Sequence, residues 1–278
     1  MSRGTWAALA VGSVAGGLAA AVAMTAVGAS GSPACAGTGQ ATFYQLKDGG
    51  GNCSYTGAPA DQLYVALGPS EYRQAGACGG YLEIRGPRGR VRAKIVDQCP
   101  ECGPGHLDLS ATAFARIADP GKGLVPVAYT RIVNPPVPPL SFMVRKGSSQ
   151  YWLAVLVIDH GNPLTRVRAS AAGRGWADLV RTDYNTWEAR KGMGPGPFTF
   201  EVTDDQGHRA VGRGLRLAIG AVQATAARMY GRSAAPAKPS KKSTSPVRKK
   251  PREKRNPAAG SVPVPAAEPG TRVAASPC

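Results

Sequence analysis

Acidic residues, aromatic residues and histidines are scarce in this sequence. Its 278 residues contain 17 acidic against 34 basic side chains, only 5 phenylalanines and only 3 histidines. Long amphipathic stretches with a sustained helical period are hard to find, while 36 glycines and 24 prolines interrupt the chain. The lack of helical periodicity argues against a helix-rich fold and favours short strands joined by turns. The sequence therefore predicts a mainly β protein.

The N-terminal segment, residues 1–29, predicts export. A single positive charge, Arg3, precedes an uncharged run rich in alanine, valine and glycine, and small residues follow at 27–29. This order is typical of a secretory signal peptide with an A-x-A-like cleavage site. The run is also long enough for a retained N-terminal membrane anchor. Both alternatives place the remaining chain outside the cytoplasm, so we expect a secreted, extracellular protein.

The six cysteines suit an oxidising compartment. Four of them fall within fifty residues, namely Cys53, Cys78, Cys99 and Cys102, whereas Cys35 and Cys278 stand apart. A metal site at the CxxC would need two more ligands, and His106 is the only nearby histidine, so we expect no metal. Proline and Gly-Pro-Gly around the CxxC argue against a redox motif at a helix start. We therefore expect disulfides among the four clustered cysteines, which allow three connectivities, one of which joins Cys53 to Cys78 and Cys99 to Cys102.

Proline and charge patterns divide the chain into segments. Short β-like runs fill residues 36–133, and four prolines in 134–140 then predict a rigid linker between domains. Residues 141–220 resume short strands separated by Gly, Asn and Asp turns, which suggests a small β-sandwich.

The C-terminal segment, residues 232–278, is a basic Pro-, Lys- and Arg-rich tail. It carries 11 basic and 2 acidic residues, more than half of the net charge of +17. With almost nothing to bury, this tail is expected to be disordered. Its charge would suit anionic wall polymers, or it is a solubilising spacer. Nucleic acid is not an expected partner, because the chain is exported and shows no recognition motif.

Five motifs in a fixed order carry a resemblance to a known family. They are GQATFY (39–44), ACGGYLEIRGPRG (77–89), VDQCPECGPGHLDLS (96–110), KGSSQYWLAVLVIDH (146–160) and TDYNTW (182–187). Together they resemble the bacterial expansins over about 180 residues. The resemblance implies a six-stranded double-psi β-barrel followed by an immunoglobulin-like β-sandwich that binds carbohydrate. It also implies a monomeric protein, without a cofactor, that loosens cell-wall polysaccharide without hydrolysis.

Asp108 in HLDLS is the leading candidate for chemistry in the barrel. Leu107 and Leu109 flank its carboxyl group, and such apolar company would raise the pKa of Asp108 and keep it a proton donor. Ser110 is expected to cap a short helix that carries Phe114. The resemblance assigns Asp108 and Asp97 to a polysaccharide groove, together with Thr42, Tyr44 and Glu101, of which Glu101 is expected nearer the loop surface.

A second catalytic carboxylate is missing from the expected position. Glycoside hydrolysis normally uses two carboxyl groups, one as acid and one as base or nucleophile. Related barrel endoglucanases carry the base two residues after the tyrosine that matches Tyr44, where this chain has Leu46. Asp48 follows two residues later and is the alternative base. Cys99 also replaces a tyrosine found in well-known bacterial expansins. We therefore expect Asp108 to act without hydrolysis.

Aromatic residues in the second domain suit sugar stacking, because the C–H face of a pyranose packs on an aromatic ring. The resemblance assigns this platform to Tyr151, Trp152 and Tyr184, flanked by the basic Arg145. Strand alternation would point Tyr151 and Trp152 to opposite faces unless they lie at a strand start or bulge. Trp176 and Trp187 are expected in the core instead.

Three functions remain open at this point. The first is a non-enzymatic protein that binds and loosens β-1,4-linked wall polymers such as cellulose or xyloglucan. The second is a peptidoglycan lytic transglycosylase resembling rare lipoprotein A, in which Asp108 is the sole acid and base. The third is a purely adhesive wall-binding module.

Overall fold

The computed structural model describes residues 36–47, 49–172 and 174–231. The predicted signal peptide or anchor, the basic tail, Asp48 and the two outlying cysteines therefore lie outside the described residues. Within the described ranges, no helix is both long and apolar enough to cross a membrane.

Six strands of the N-terminal half close into a barrel. They are β1 (Ala36–Tyr44), β2 (Tyr64–Leu67), β3 (Tyr81–Gly86), β4 (Gly89–Gln98), β5 (His106–Ser110) and β6 (Val125–Ile132). Around the barrel the order is β1-β5-β2-β4-β3-β6. The pairs β1/β5 and β2/β4 are parallel, and the other neighbours are antiparallel. The predicted mainly β fold with a six-stranded barrel is confirmed.

Short helices connect the barrel strands. They are α1 (Pro69–Tyr72), α2 (Ala111–Ile117) and a 3-10 helix (Pro120–Lys122). The hydroxyl of Ser110 accepts a hydrogen bond from the backbone N–H of Ala113 at 3.0 Å, which confirms Ser110 as the N-cap of α2. Phe114 is fully buried in the barrel core. The cap therefore begins the helix directly after β5, and Phe114 anchors it.

Nine further strands form two sheets in the described residues after the barrel. They are β7 (Ser141–Val144), β8 (Leu153–Ile158), β9 (Leu164–Ala171), β10 (Ala177–Asp178), β11 (Val180–Arg181), β12 (Trp187–Ala189), β13 (Phe198–Asp204), β14 (Arg209–Leu215) and β15 (Val222–Ala224). The sheet orders are β10-β9-β13-β14 and β11-β12-β8-β7-β15. Phe142 of one sheet stacks on Phe200 of the other at 5.2 Å between ring centroids. One shared core thus lies between the two sheets, as in a β-sandwich.

The five-stranded sheet is buried on both of its faces along β7 and β8. Phe142 and Val155 point into the sandwich core, while Met143 and Leu156 belong to the core cluster of the barrel. Strands covered on both sides read as continuous apolar runs rather than as alternating ones. The barrel and the sandwich therefore pack directly on each other through this sheet.

The sandwich continues beyond residue 220, where the sequence placed its end. β15 pairs antiparallel with β7, and Met229 is buried in the sandwich core. The same C-terminal segment also contacts the predicted linker, because the Tyr230 hydroxyl donates a hydrogen bond to the carbonyl of Pro135 at 2.7 Å. A boundary at 220 was wrong because the pairing of β15 with β7 joins segments about eighty residues apart in sequence, which local patterns do not reveal.

Candidate functional site

The predicted groove of the barrel includes a polar triad on the parallel pair β1/β5. Thr42 lies opposite Asp108 in this register, and its hydroxyl donates to Asp108 Oδ1 at 2.6 Å. His106 Nε2 lies 2.9 Å from the same hydroxyl. Because the single proton of Thr42 is given to Asp108, His106 Nε2–H is the donor in this second bond. The three side chains thus form a directed chain that ends at the Asp108 carboxyl group.

Asp108 is half-buried, and burial is the main reason why its pKa lies above the ordinary value. The hydrogen bond from Thr42 and the charge of His106 oppose this shift, whereas Glu101 and Asp97 add to it. Leu107 and Leu109, its neighbours along β5, are fully buried. A carboxyl group in this setting keeps its proton to a higher pH than a solvated aspartate, and can therefore donate it to a sugar oxygen.

Asp97, at the end of β4, is the second acidic residue of the groove. Its Oδ2 accepts from the Tyr44 hydroxyl at 3.2 Å, and its Oδ1 accepts from the backbone N–H groups of Asn52 at 2.6 Å and Gln98 at 2.8 Å. Burial, and then the charge and hydrogen bond of Asp97, raise the pKa of the Tyr44 hydroxyl. Three donors thus hold the Asp97 carboxylate in one orientation.

Other predicted groove residues lie at the edges of this site. Leu46 packs against the barrel core, and its backbone N–H donates to the Tyr64 hydroxyl at 3.0 Å, so no carboxylate occupies that position. The alternative base, Asp48, lies outside the described residues. Glu101 is exposed on the loop between β4 and β5, as expected.

Two disulfides brace the loops around the groove. Cys53 pairs with Cys78 at a sequence separation of 25, and Cys99 pairs with Cys102 at a separation of 3. This is one of the three connectivities that the sequence left open, and the prediction of disulfides is confirmed. In the described part of the chain, no three His, Cys, Asp or Glu side chains are grouped so that they could hold a metal ion.

The three aromatic residues of the predicted platform lie in loops of the five-stranded sheet, Tyr151 and Trp152 before β8 and Tyr184 in the turn between β11 and β12. Tyr151 is 74% exposed, Tyr184 is 42% exposed and Trp152 is partly exposed. Tyr151 and Trp152 precede β8, and the tight Ser149–Trp152 bridge frees both from strand alternation. A Cβ on Gly192 would lie 2.5 Å from the Tyr151 Cα, so this glycine allows the backbone to approach closely.

Three further residues had predicted positions, namely Arg145 beside the platform and Trp176 and Trp187 in the core. The Arg145 guanidinium donates to the carbonyl of Ser54 at 3.2 Å, so it bridges the sandwich to a barrel loop. Trp187 is 3% exposed, in agreement with the expected core position. Trp176 is 42% exposed, so the expectation of a core residue was wrong for it. It precedes the short edge strand β10, and the Arg168 guanidinium lies over its ring at 5.2 Å from the centroid.

Sequence reasoning missed three polar residues next to the site, His106, Asn52 and Ser54. His106 lies two positions before Asp108, and strand alternation alone would have placed both on one face. Asn52 and Ser54 lie in the loop between β1 and β2, and their partners are more than forty residues away. No local sequence signal marks such contacts.

Comparison with known proteins adds independent evidence. A family model described as lytic transglycolase matches residues 64–129, which are part of the barrel and include Asp108. Expansin-YoaJ of Bacillus subtilis is 28% identical over 173 residues, which cover 61% of this chain and 74% of that protein. Expansin-B11 of rice, Oryza sativa subsp. japonica, is 27% identical over 203 residues, covering 60% of this chain and 68% of that protein.

Solved structures of an expansin from Clavibacter michiganensis match both halves of the fold. The apo structure is 42% identical, with a TM-score of 0.69, and the match covers 71% of this chain and 100% of the other. A point mutant of the Clavibacter protein in complex with cellohexaose is 41% identical, with a TM-score of 0.68 and the same coverage of both chains. The closed six-stranded barrel and this match over the full length of the Clavibacter chain together place the protein in the expansin family.

Proposed function

We propose that this protein is secreted and binds β-1,4-linked cell-wall glycan through the aromatic platform and the barrel groove. It acts as a monomer that loosens the non-covalent contacts between wall polymers and leaves the glycosidic bonds intact. The basic tail at 232–278 adds retention on anionic wall polymers. The Clavibacter expansin solved with cellohexaose supports a β-glucan as the ligand class.

The chemistry of the groove is the observation that carries this proposal. Asp108 is a half-buried carboxyl group with a raised pKa, and Asp97 is held by three hydrogen bonds. A hydrolase needs a second carboxylate that is free to activate water or attack the sugar. The Leu46 side chain supplies none, so Asp108 would bond to the glycan and distort it rather than cleave it.

Binding is expected to depend on the platform. Exposed tyrosine and tryptophan rings offer flat apolar surface with little loss of side-chain entropy. Trp152→Ala should weaken the binding of the whole chain to cellulose about tenfold, since stacking on one ring contributes roughly 1 kcal/mol or more. Trp176→Ala is the matched control, because this tryptophan is exposed on the sandwich but lies apart from the platform. Equal losses in both variants would contradict a binding role for the platform.

The test of loosening without hydrolysis uses the whole chain with its disulfides formed. It is incubated with cellulose and, separately, with purified peptidoglycan, and mass spectrometry searches for soluble fragments. We expect the native protein to bind and to increase the extension of the wall without releasing soluble fragments. Asp108→Asn should lose this effect on extension. Reducing-end oligosaccharides from the native protein would overturn the proposal and would mean that Asp48 or another carboxylate is the missing base.

A peptidoglycan lytic transglycosylase is the second candidate, and the match of residues 64–129 to the lytic transglycolase model favours it. This reaction needs no water, because an internal sugar hydroxyl attacks the anomeric carbon and gives a 1,6-anhydro product. One carboxyl group such as Asp108 serves it as both acid and base. Anhydro-sugar fragments that disappear in Asp108→Asn would establish this activity in place of the first.

A further inference from the structure

One loop of the barrel touches both candidate binding areas. The backbone N–H of Asn52 donates to Asp97 Oδ1 in the groove at 2.6 Å. Two residues later, the Ser54 hydroxyl donates to the backbone carbonyl of Tyr184 in the platform at 2.6 Å. Since consecutive Cα atoms are 3.8 Å apart, the two contact points are separated by at most about 8 Å of chain.

Further hydrogen bonds join this loop to the sandwich. Asn52 Nδ2 donates to the carbonyl of Asp183 at 3.2 Å, and Asn185 Nδ2 donates to the carbonyl of Cys53 at 3.1 Å. The residues on both sides of Tyr184 are thus bonded to the loop, as Tyr184 itself is. Asn185 is buried, so its amide has no access to water as an alternative partner.

The loop itself is rigid. The buried Cys53–Cys78 disulfide anchors it to the barrel, and the Cys53 N–H donates to the carbonyl of Val96 at 3.0 Å. Gly51 has a left-handed φ of 68°, and a Cβ there would lie 2.7 Å from the Cβ of Asp97. The backbone therefore lies directly against the groove carboxylate, and a displacement of the loop would displace Asp97.

From these contacts we infer that the Asn52–Tyr55 loop is a positioning element that couples Asp97 of the groove to Tyr184 of the platform. It fixes the offset between the two areas, so that a single β-1,4-glucan chain engages both at once. Asn52, Ser54 and Asn185 are positioning residues, because each bonds to backbone or to Asp97 and acts on the glycan only through other residues. The ligand in this inference rests on the proposed function, whereas the coupling of the two areas does not.

The first test needs no glycan. Hydrogen exchange of the Asn52 amide, which bonds to Asp97, is measured by NMR in the native chain and in Ser54→Ala. Loss of the Ser54 hydroxyl removes one hydrogen bond, so exchange should accelerate roughly fivefold in Ser54→Ala. Ser170→Ala is the matched control, because the Ser170 hydroxyl also donates to a carbonyl, that of Arg174, but on the far sheet. An Asn52 amide that exchanges at the native rate in Ser54→Ala would overturn the coupling.

The second test compares a long with a short ligand by calorimetry. Ser54→Ala should weaken binding of cellohexaose roughly fivefold while changing binding of cellobiose less than twofold, because the short sugar can bind within one area whereas the long chain engages both. Asn185→Ala should act in the same direction, and a folded Ser54→Ala keeps the test decisive if Asn185→Ala fails to fold. Equal losses for both ligands would contradict positioning. A native chain that binds neither sugar would refute the proposed ligand, and the exchange experiment alone would then decide the coupling.

Discussion

At the scale of single residues, the raised pKa of Asp108 has a consequence for stability. Because burial raises this pKa in the folded protein, the folded state binds the proton more tightly than the unfolded chain does. The stabilisation is therefore fully present below the ordinary aspartate value near 4, and it is lost as the pH rises through the raised value. Asp108→Asn cannot ionise, so its melting temperature relative to the native protein should increase from pH 3 to pH 7.

A matched control with the opposite sign is available in Asp119. The Gly121 N–H and then the Arg88 charge lower its pKa, so its contribution is present at neutral pH and is lost on acidification. Asp119→Asn should therefore be the less stable protein near pH 7 and approach the native protein toward pH 3. Calorimetric melting at several pH values measures both variants. A gap between Asp108→Asn and the native chain that does not change with pH would contradict the assigned environment.

The two tryptophans of unequal burial give the second prediction. Truncation of a buried tryptophan removes its transfer free energy and leaves a cavity, so Trp187→Ala should destabilise by about 3–5 kcal/mol. Trp176→Ala removes an exposed ring and its contact with Arg168, so the free energy of unfolding should fall by only about 1 kcal/mol. Urea unfolding followed by circular dichroism separates the two. Similar losses would mean that Trp176 has a core role after all.

Asp108 and Trp176 show why sequence prediction succeeded at one residue and failed at another. The environment of Asp108 follows from strand alternation, which places Leu107 and Leu109 inside the barrel and Asp108 on the other face. The position of Trp176 depends on which strand covers it. The strand that follows it, β10, is a two-residue edge strand that leaves the ring at the surface, and composition carries no signal of that.

At the scale of secondary-structure elements, the β5–α2 junction was predictable because its signals are local. Ser110 caps the helix, and its hydroxyl also donates to the carbonyl of Gln62 at 2.5 Å. Ser110→Ala removes both bonds and should destabilise the protein by about 1–2 kcal/mol. Thr112→Ala is the control on the same helix, where an exposed threonine is replaced by a better helix former, which costs nothing. Urea unfolding measures both, and equal stability of the two variants would argue against the cap.

Strand β15 and the barrel–sandwich contact were not predictable in the same way. Their partners are distant in sequence, and pairing of this kind depends on which surface is left uncovered after the local elements have formed. The apolar run LAVLVI in β8 did contain a signal, because strands buried on both faces lose their alternation. This apolar run accounts for the burial of Leu156 against the barrel core.

At the scale of the whole molecule, His160 lies where the barrel and the sandwich meet. It follows β8, is fully buried, and its Nε2 lies 3.4 Å from the hydroxyl of Tyr55 in the barrel. Burial lowers the pKa of His160 to about 4, Lys94 adds to this effect, and the Asn162 carbonyl and Asp204 oppose it. Lys94 also lies 3.9 Å from Asp159 and over the Tyr55 ring. Charged and ring groups from both domains therefore surround this neutral imidazole.

Acidification should unfold the two domains together, because it protonates the buried His160. Because its pKa is lower in the folded than in the unfolded protein, the stabilisation is present above about 6.5 and is lost as the pH falls towards 4. The linkage corresponds to about 3 kcal/mol across that window. His160→Gln has no imidazole to protonate, so its free energy of unfolding should fall less between pH 6.5 and pH 4 than that of the native protein. Tyr55→Phe keeps the burial of His160, which is the main cause of the lowered pKa, and should retain the native pH dependence.

Hydrogen exchange of peptides from each half, read by mass spectrometry, should show barrel and sandwich losing protection at the same pH, because Met143 and Leu156 tie the two cores together. Separate transitions, or an unchanged pH dependence in His160→Gln, would place the acid-sensitive contact elsewhere.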